Sequence, residues 1–114
     1  MGYPRALDPA SSVSVLPTTT TLATFDVSTT ATLTVQVSNT DGAQQLDCAI
    51  WRHATTSDPF VMTTLEALQG IGPGDSKCID IDCGGNVEVR VTGAASGAGL
   101  VATISARDKP RSRA

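Results

Sequence analysis

Small or branched apolar residues occupy every second position in block after block of this chain, with polar residues between them. Leu33, Val35 and Val37 share one phase between Ala31 and Asn39. The same holds for Leu46, Cys48 and Ile50, for Ile79 and Ile81, for Val87, Val89 and Val91, and for Leu100, Ala102 and Ile104. A period of two is what a pleated strand with one buried and one solvated face requires. The chain is therefore expected to be all-β.

Turn chemistry divides the pattern into strands. Val13 and Val15 alternate with Ser before Pro17, and the β-branched run Thr18–Thr21 leads into Leu22 and Phe25, so residues 13–25 read as an edge strand kinked at Pro17. Residues 30–38 form the clearest strand, closed by the turn Asn39-Thr40-Asp41-Gly42, and 45–54 returns antiparallel to it. After Ser57-Asp58-Pro59, Phe60 and Met62 resume alternation. Thr63 and Glu66 then have capping-box spacing, so a short strand is expected to break into one helical turn. The Ile71–Ser76 segment, with Gly72-Pro73-Gly74, is a loop, 77–83 and 86–92 flank a tight Gly84-Gly85-Asn86 hairpin, and 100–106 is the last strand. Seven strands at spacings near ten residues predict a sandwich of two antiparallel sheets.

At 114 residues, one domain is the natural count. Residues 1–12 hold Pro4, Pro9 and a Ser pair without periodicity and read as a flexible or extended arm, 13–106 as the sandwich, and 107–114 as a basic tail. The aromatic set is Tyr3, Trp51, Phe25 and Phe60, so the core is aliphatic and a large aromatic-lined pocket is not expected. The N-terminus lacks the apolar run of a signal peptide and no segment approaches the ~20 residues needed to cross a bilayer, which reads as a soluble, cytoplasmically made chain with no membrane role.

Net charge is −3 but unevenly placed. Arg107, Lys109, Arg111 and Arg113 against Asp108 give residues 107–114 a charge of +3, leaving −6 on the rest. A basic terminal arm on an acidic body can bridge to an acidic neighbour or to nucleic acid, but reads first as a solvated tail that keeps the terminus soluble. Nucleic-acid binding by the domain itself is not expected, since phosphate neutralisation needs a basic face and only Arg5, Arg52, Lys77 and Arg90 lie elsewhere.

No group of residues announces a reaction. Cys48 and Cys83 share the inward phase and Cys78 the outward one, so the first two read as small buried hydrophobes, with a bridge between them open only if their strands oppose across the core. One histidine and one usable cysteine pair are too few for zinc. His53 is the sole histidine, near Ser57 and Asp58 but without a nucleophile elbow, and reads as a surface residue at a strand end. Asp80 and Asp82 lie on one face of one strand, roughly 7 Å apart, and read as an acidic edge that discourages stray sheet pairing. Trp51 falls out of phase with Leu46 and Ile50, so either a bulge turns it inward or it covers the other sheet face. Neither a cofactor nor a metal is expected.

The order of Val37–Gly42, Leu46–Trp51, Ile71–Ser76 and Asn86–Ala95 resembles the small immunoglobulin-like β-sandwich proteins encoded in the structural-gene blocks of tailed bacteriophages and prophages. The resemblance covers roughly residues 28–106. It implies an immunoglobulin-like sandwich and a non-enzymatic virion component, above all a capsid decoration or cement protein, otherwise part of the neck or tail. It further implies the major capsid protein or other virion proteins as partners, and a many-copy or homo-oligomeric arrangement. A glycan-binding or cell-surface module, using Tyr3, Trp51 and Phe60, is the competing expectation. The contact-making residues expected on a lattice are Tyr3, Pro4 and Arg5 in the first arm, Asp58 and Phe60 in the central loop, and Arg107, Lys109, Arg111 and Arg113 in the tail, with the Gly70–Asp75 loop as a further candidate.

Overall fold

The computed structural model describes residues 5–40 and 43–110. Eight strands follow in order: β1 (Arg5–Val15), β2 (Thr20–Asp26), β3 (Thr30–Asn39), β4 (Leu46–His53), β5 (Val61–Thr63), β6 (Ser76–Asp82), β7 (Glu88–Ala95) and β8 (Leu100–Pro110). A single 3-10 turn, Glu66–Leu68, follows β5, and there is no α-helix among the described residues. The helical turn expected after Thr63 is this one, but Leu65 is its N-cap and no side chain caps it, so the Thr63/Glu66 box does not form.

Two four-stranded antiparallel sheets face each other, sheet I in the order β1-β8-β3-β6 and sheet II in the order β2-β7-β4-β5. The antiparallel β-sandwich is thus present, with eight strands. Its connectivity has a simple origin: β1 pairs with β8, β2 with β7, β3 with β6 and β4 with β5. These nested pairs are one long antiparallel ribbon folded at β4–β5 and rolled up, so that β3 also meets β8 and β4 also meets β7. That is the double-sheet jelly roll. The immunoglobulin arrangement expected from the motif order would instead keep strands A, B, E and D together in one sheet. Local turn and strand motifs do not encode which distant ribbons pair, so the two sandwiches are alike in sequence pattern and differ in wrap.

The stretch expected to be one kinked strand over 13–25 is two strands in different sheets. Val15 ends β1 in sheet I, Thr20 starts β2 in sheet II, and the Leu16–Thr19 corner carries the chain across. The corner is pinned by the Leu16 N–H donating to Thr20 Oγ1 (3.1 Å), by the Thr20 hydroxyl donating to the Thr18 carbonyl (3.0 Å), and by the Ala95 N–H donating to the Leu16 carbonyl (2.9 Å). Pro17, which has no N–H to give a ladder, sits where no ladder is needed.

Both ends of the sandwich are longer than the alternation indicated. β1 begins at Arg5 and pairs with β8 from Arg5↔Asp108 to Val15↔Leu100, with irregular register near Ala6 and Asp8, so much of the segment read as an arm is strand. β8 continues to Pro110, taking in Arg107 to Lys109 of the segment read as a tail. Leu100, Ala102, Ile104, Ala106 and Asp108 keep one inward phase, and Asp108 is fully buried, its Oδ2 accepting from the Thr30 hydroxyl (2.9 Å).

The core is aliphatic. Leu33, Val35 and Val37 of β3, Leu46 and Ile50 of β4, Val89 and Val91 of β7 and Leu100 of β8 are sealed between the sheets, with Leu68 and Ile71 filling the end near the 3-10 turn. Each such side chain contributes roughly 1.5–3 kcal/mol relative to exposure. Gly85 takes φ +82° in the β6–β7 connection, a left-handed conformation strained for any residue with a Cβ. But β6 pairs with β3 in sheet I and β7 with β2 and β4 in sheet II, so this turn carries the chain between sheets and the expected hairpin does not form. Cys48 and Cys83 are buried and Cys78 is exposed, all three as free thiols.

Candidate functional site

Two surfaces carry the exposed chemistry. On the outer face of sheet II the register sets Asp26, Glu88 and His53 in one row and Thr24, Arg90, Trp51 and Met62 in the next. The loop after β4 folds back over this face. Its Asp58 carbonyl lies 3.0 Å from His53 Nδ1, and Phe60 stacks on the imidazole with centroids 3.9 Å apart and planes 12° apart. The Arg90 guanidinium lies 4.3 Å from the Phe60 ring centre. Two groups so nearly centred on one ring cannot share a face, so Phe60 stands between the imidazole and the guanidinium, a stacked ring on one side and a cation–π contact on the other.

His53 is therefore buried, at 7% exposure, where a surface position was expected. Burial comes from the loop rather than the core, because the residue points outward from its strand and is roofed by Phe60. The proton pattern follows from its partners. A carbonyl can only accept, so the Nδ1 contact with Asp58 is a hydrogen bond in which the ring nitrogen donates, while Nε2 lies 2.9 Å from Glu88 Oε1. Both ring nitrogens are thus engaged in holding a loop to a sheet. Next to this assembly an open groove of about 640 Å³ runs past Arg52, Asp58, Val61, Thr63 and Asp82. Arg52 crosses the end of the sandwich to donate from Nη1 to the Asp82 carbonyl (3.2 Å).

Trp51 covers the outer face of sheet II, the second of the two placements left open by its phase. Its Nε1–H donates to Thr92 Oγ1 (2.8 Å) across an unbroken β4–β7 ladder, so no bulge is needed. Beside it, Met62 is 52% exposed and Val61 66%, both on the three-residue edge strand β5. At the start of the neighbouring Glu88–His53 row, the backbone N–H and hydroxyl of Ser28 hold the Asp26 carboxyl below the usual carboxylate range.

The second surface is the outer face of sheet I. Here the register gives rows Lys109–Thr32–Asp82, Arg107–Thr34–Asp80, Ser105–Gln36–Cys78 and Thr103–Ser38–Ser76 across β8, β3 and β6. Arg107, Lys109, Asp80 and Asp82 are all exposed. Asp80 and Asp82 do lie on an edge strand, with Thr34 donating its hydroxyl to Asp80 Oδ1 (2.6 Å) and the Gly84 N–H donating to Asp82 Oδ1 (3.0 Å).

The nine residues expected to make contacts are thus not one cluster. Asp58 and Phe60 belong to the roof of sheet II, Arg107 and Lys109 to the face of sheet I, and Arg5 to the far end of β1. Tyr3, Pro4, Arg111 and Arg113 lie outside the described residues. Sequence reasoning missed Glu88 and Arg90 as partners of the central loop, because their pairing with β4 spans 35 residues or more in the chain; the parity of β7 places them outward but not opposite His53.

No family model matches the chain, and no curated protein matches it in sequence. A solved structure similar to it is that of the infectious bursal disease virus Gt strain, at 12% sequence identity and a TM-score of 0.49. The likeness covers 98% of this chain and 38% of that one. Among the described residues no group of three or more His, Cys, Asp or Glu is placed to hold a metal ion, and no helix is long and apolar enough to cross a membrane.

Proposed function

We propose that this chain is a structural component of a virion, a non-enzymatic decoration or cement protein that docks on a capsid lattice, with a neck or tail position as the nearest variant. The observation that carries the reading is the rolled ribbon with a filled interior. Jelly rolls recur in viral capsid, lectin and cupin proteins, so the wrap alone does not choose among them. A small-molecule site inside the roll would need a hollow or polar interior, whereas here Leu33, Val35, Val37, Leu46, Val89 and Leu100 close it. A sugar platform would need a free aromatic face, whereas Phe60 is held between His53 and Arg90. What is left for function is the outside: the charged face of sheet I and the apolar edge at Val61 and Met62, features that suit attachment.

The motif order of Val37–Gly42 and Asn86–Ala95 supports the same class. The partners are then the major capsid protein or other virion proteins, with many copies per particle and a virion location after synthesis in the host bacterial cytoplasm. Mass spectrometry of gradient-purified particles from a strain producing the protein is the test. Detection in many copies per particle is the expected result, and its absence from particles would overturn the proposal.

A further inference from the structure

We propose that the outer face of sheet I is a self-complementary interface that joins two copies of this chain about a two-fold axis running parallel to β3. The face carries a basic column, Arg107 and Lys109 on β8, and an acidic column, Asp80 and Asp82 on β6, with β3 between them. Row by row the columns are in register, since Thr34 opposes both Arg107 and Asp80, and Thr32 opposes both Lys109 and Asp82. Strand spacing puts the columns about 10 Å apart. No ion pair joins them within the chain, and all four side chains are exposed.

A two-fold axis lying between two stacked sheets and parallel to β3 exchanges left with right while keeping position along the strands. It therefore sets Arg107 of one copy over Asp80 of the other, and Lys109 over Asp82, twice per dimer. An in-plane axis perpendicular to the strands would set like charge on like. The charge pattern thus selects one closed, isologous arrangement. Apart from Gln36 on the central strand, which would meet its own copy at the axis, the rest of the face is short: Thr32, Thr34, Ser38, Ser76, Thr103 and Ser105, some of whose hydroxyls are already satisfied on the sheet, as in Ser38–Ser76 (2.7 Å) and Thr34–Asp80 (2.6 Å). Three strands by seven residues is a patch of about 15 × 23 Å, smaller than a stable specific interface and of a size that supports only a weak, transient contact. Its charge pairs stay near solvent and are screened by salt. The dimer is consequently weak, concentration-dependent and salt-sensitive. It does not rest on the virion reading, which particle proteomics tests separately.

Sedimentation of the purified full chain over a concentration series, at low and at high salt, is the direct test. The average mass should rise with concentration toward that of a dimer at low salt and fall back when salt is added. Arg107→Glu/Lys109→Glu makes the face all acidic and Asp80→Lys/Asp82→Lys makes it all basic, so each variant alone should stay monomeric while an equimolar mixture associates. A wild-type chain that stays monomeric at every concentration, self-association indifferent to both charge variants, or a mixture that remains monomeric would overturn the proposal.

Discussion

Asn39 ties together more of the chain than its place in a turn motif indicates. It is buried, its Nδ2 donates to the Gln44 carbonyl (2.7 Å) and the Ile71 carbonyl (2.9 Å), and its backbone exchanges bonds with Asp75 and Gly74. One amide thus fastens the end of β3 to two loops. Asn39→Ala removes both side-chain donors and is expected to cost about 1–3 kcal/mol, read as a lower urea midpoint. His53 does the same work for the central loop. His53→Ala should lower stability by a similar roughly 1–3 kcal/mol and open residues 54–60 to limited proteolysis, with Glu88 and Phe60 losing their common partner; an unchanged midpoint and cleavage pattern would contradict the roofing role. Cys48 sets an alkaline limit. Burial, with a smaller push from the Asp47 charge, raises its thiol from 9.0 to about 12. Below about pH 9 folded and unfolded chains both hold the proton, and between about 9 and about 12 only the folded chain does, so stability from this group falls as pH rises, by up to ~1.4 kcal/mol per pH unit. Urea titrations over this range should show a shallower decline for Cys48→Ala than for the parent chain.

At the scale of elements, the inner strands were legible because each has one clean phase. From Leu33 in β3, as far as Ile50 in β4, and from Leu100 to Asp108 in β8 the alternation is clean, and the apolar residues it names are the inward ones. The errors fall where the phase is carried by residues that look like something else. Asp108 continues the inward row of β8, but a carboxylate among Arg107, Lys109, Arg111 and Arg113 reads as part of a solvated tail; its burial depends on Thr30, 78 residues away in the chain. Pro4, Pro9 and the Ser pair hide β1, whose pairing comes from the other end of the chain. The two candidate surfaces were half visible for the same reason: parity says which side chains point outward, and only the pairing of β3 with both β6 and β8 shows that acidic and basic columns share a face. Pairing also orders local stability. Native-state hydrogen exchange should find the amides of β3, β7 and β8, each flanked on both sides, among the slowest, and those of β5 among the fastest, with protection in β8 continuing past Ala106. Exchange of residues 107–109 at unstructured rates would refute the extended strand.

For the molecule as a whole, the rolled ribbon explains why function is sought on its exterior. Its interior is packed with aliphatic side chains, and its two outer faces have different characters: sheet II is roofed by the loop carrying Phe60, while sheet I is open, hydroxyl-rich and divided by charge. On the proposed reading such a body works by being held in an assembly, and a salt-sensitive pairing of sheet I would add contacts between neighbours without altering the fold. The most direct measurement is a cryo-electron microscopy map of particles from a strain that makes this protein. The account predicts an eight-stranded sandwich density repeated at symmetry-related sites on the outside of the head, with its strands fitting the order given above. Particles complete and well resolved with no such density at head, neck or tail would contradict it.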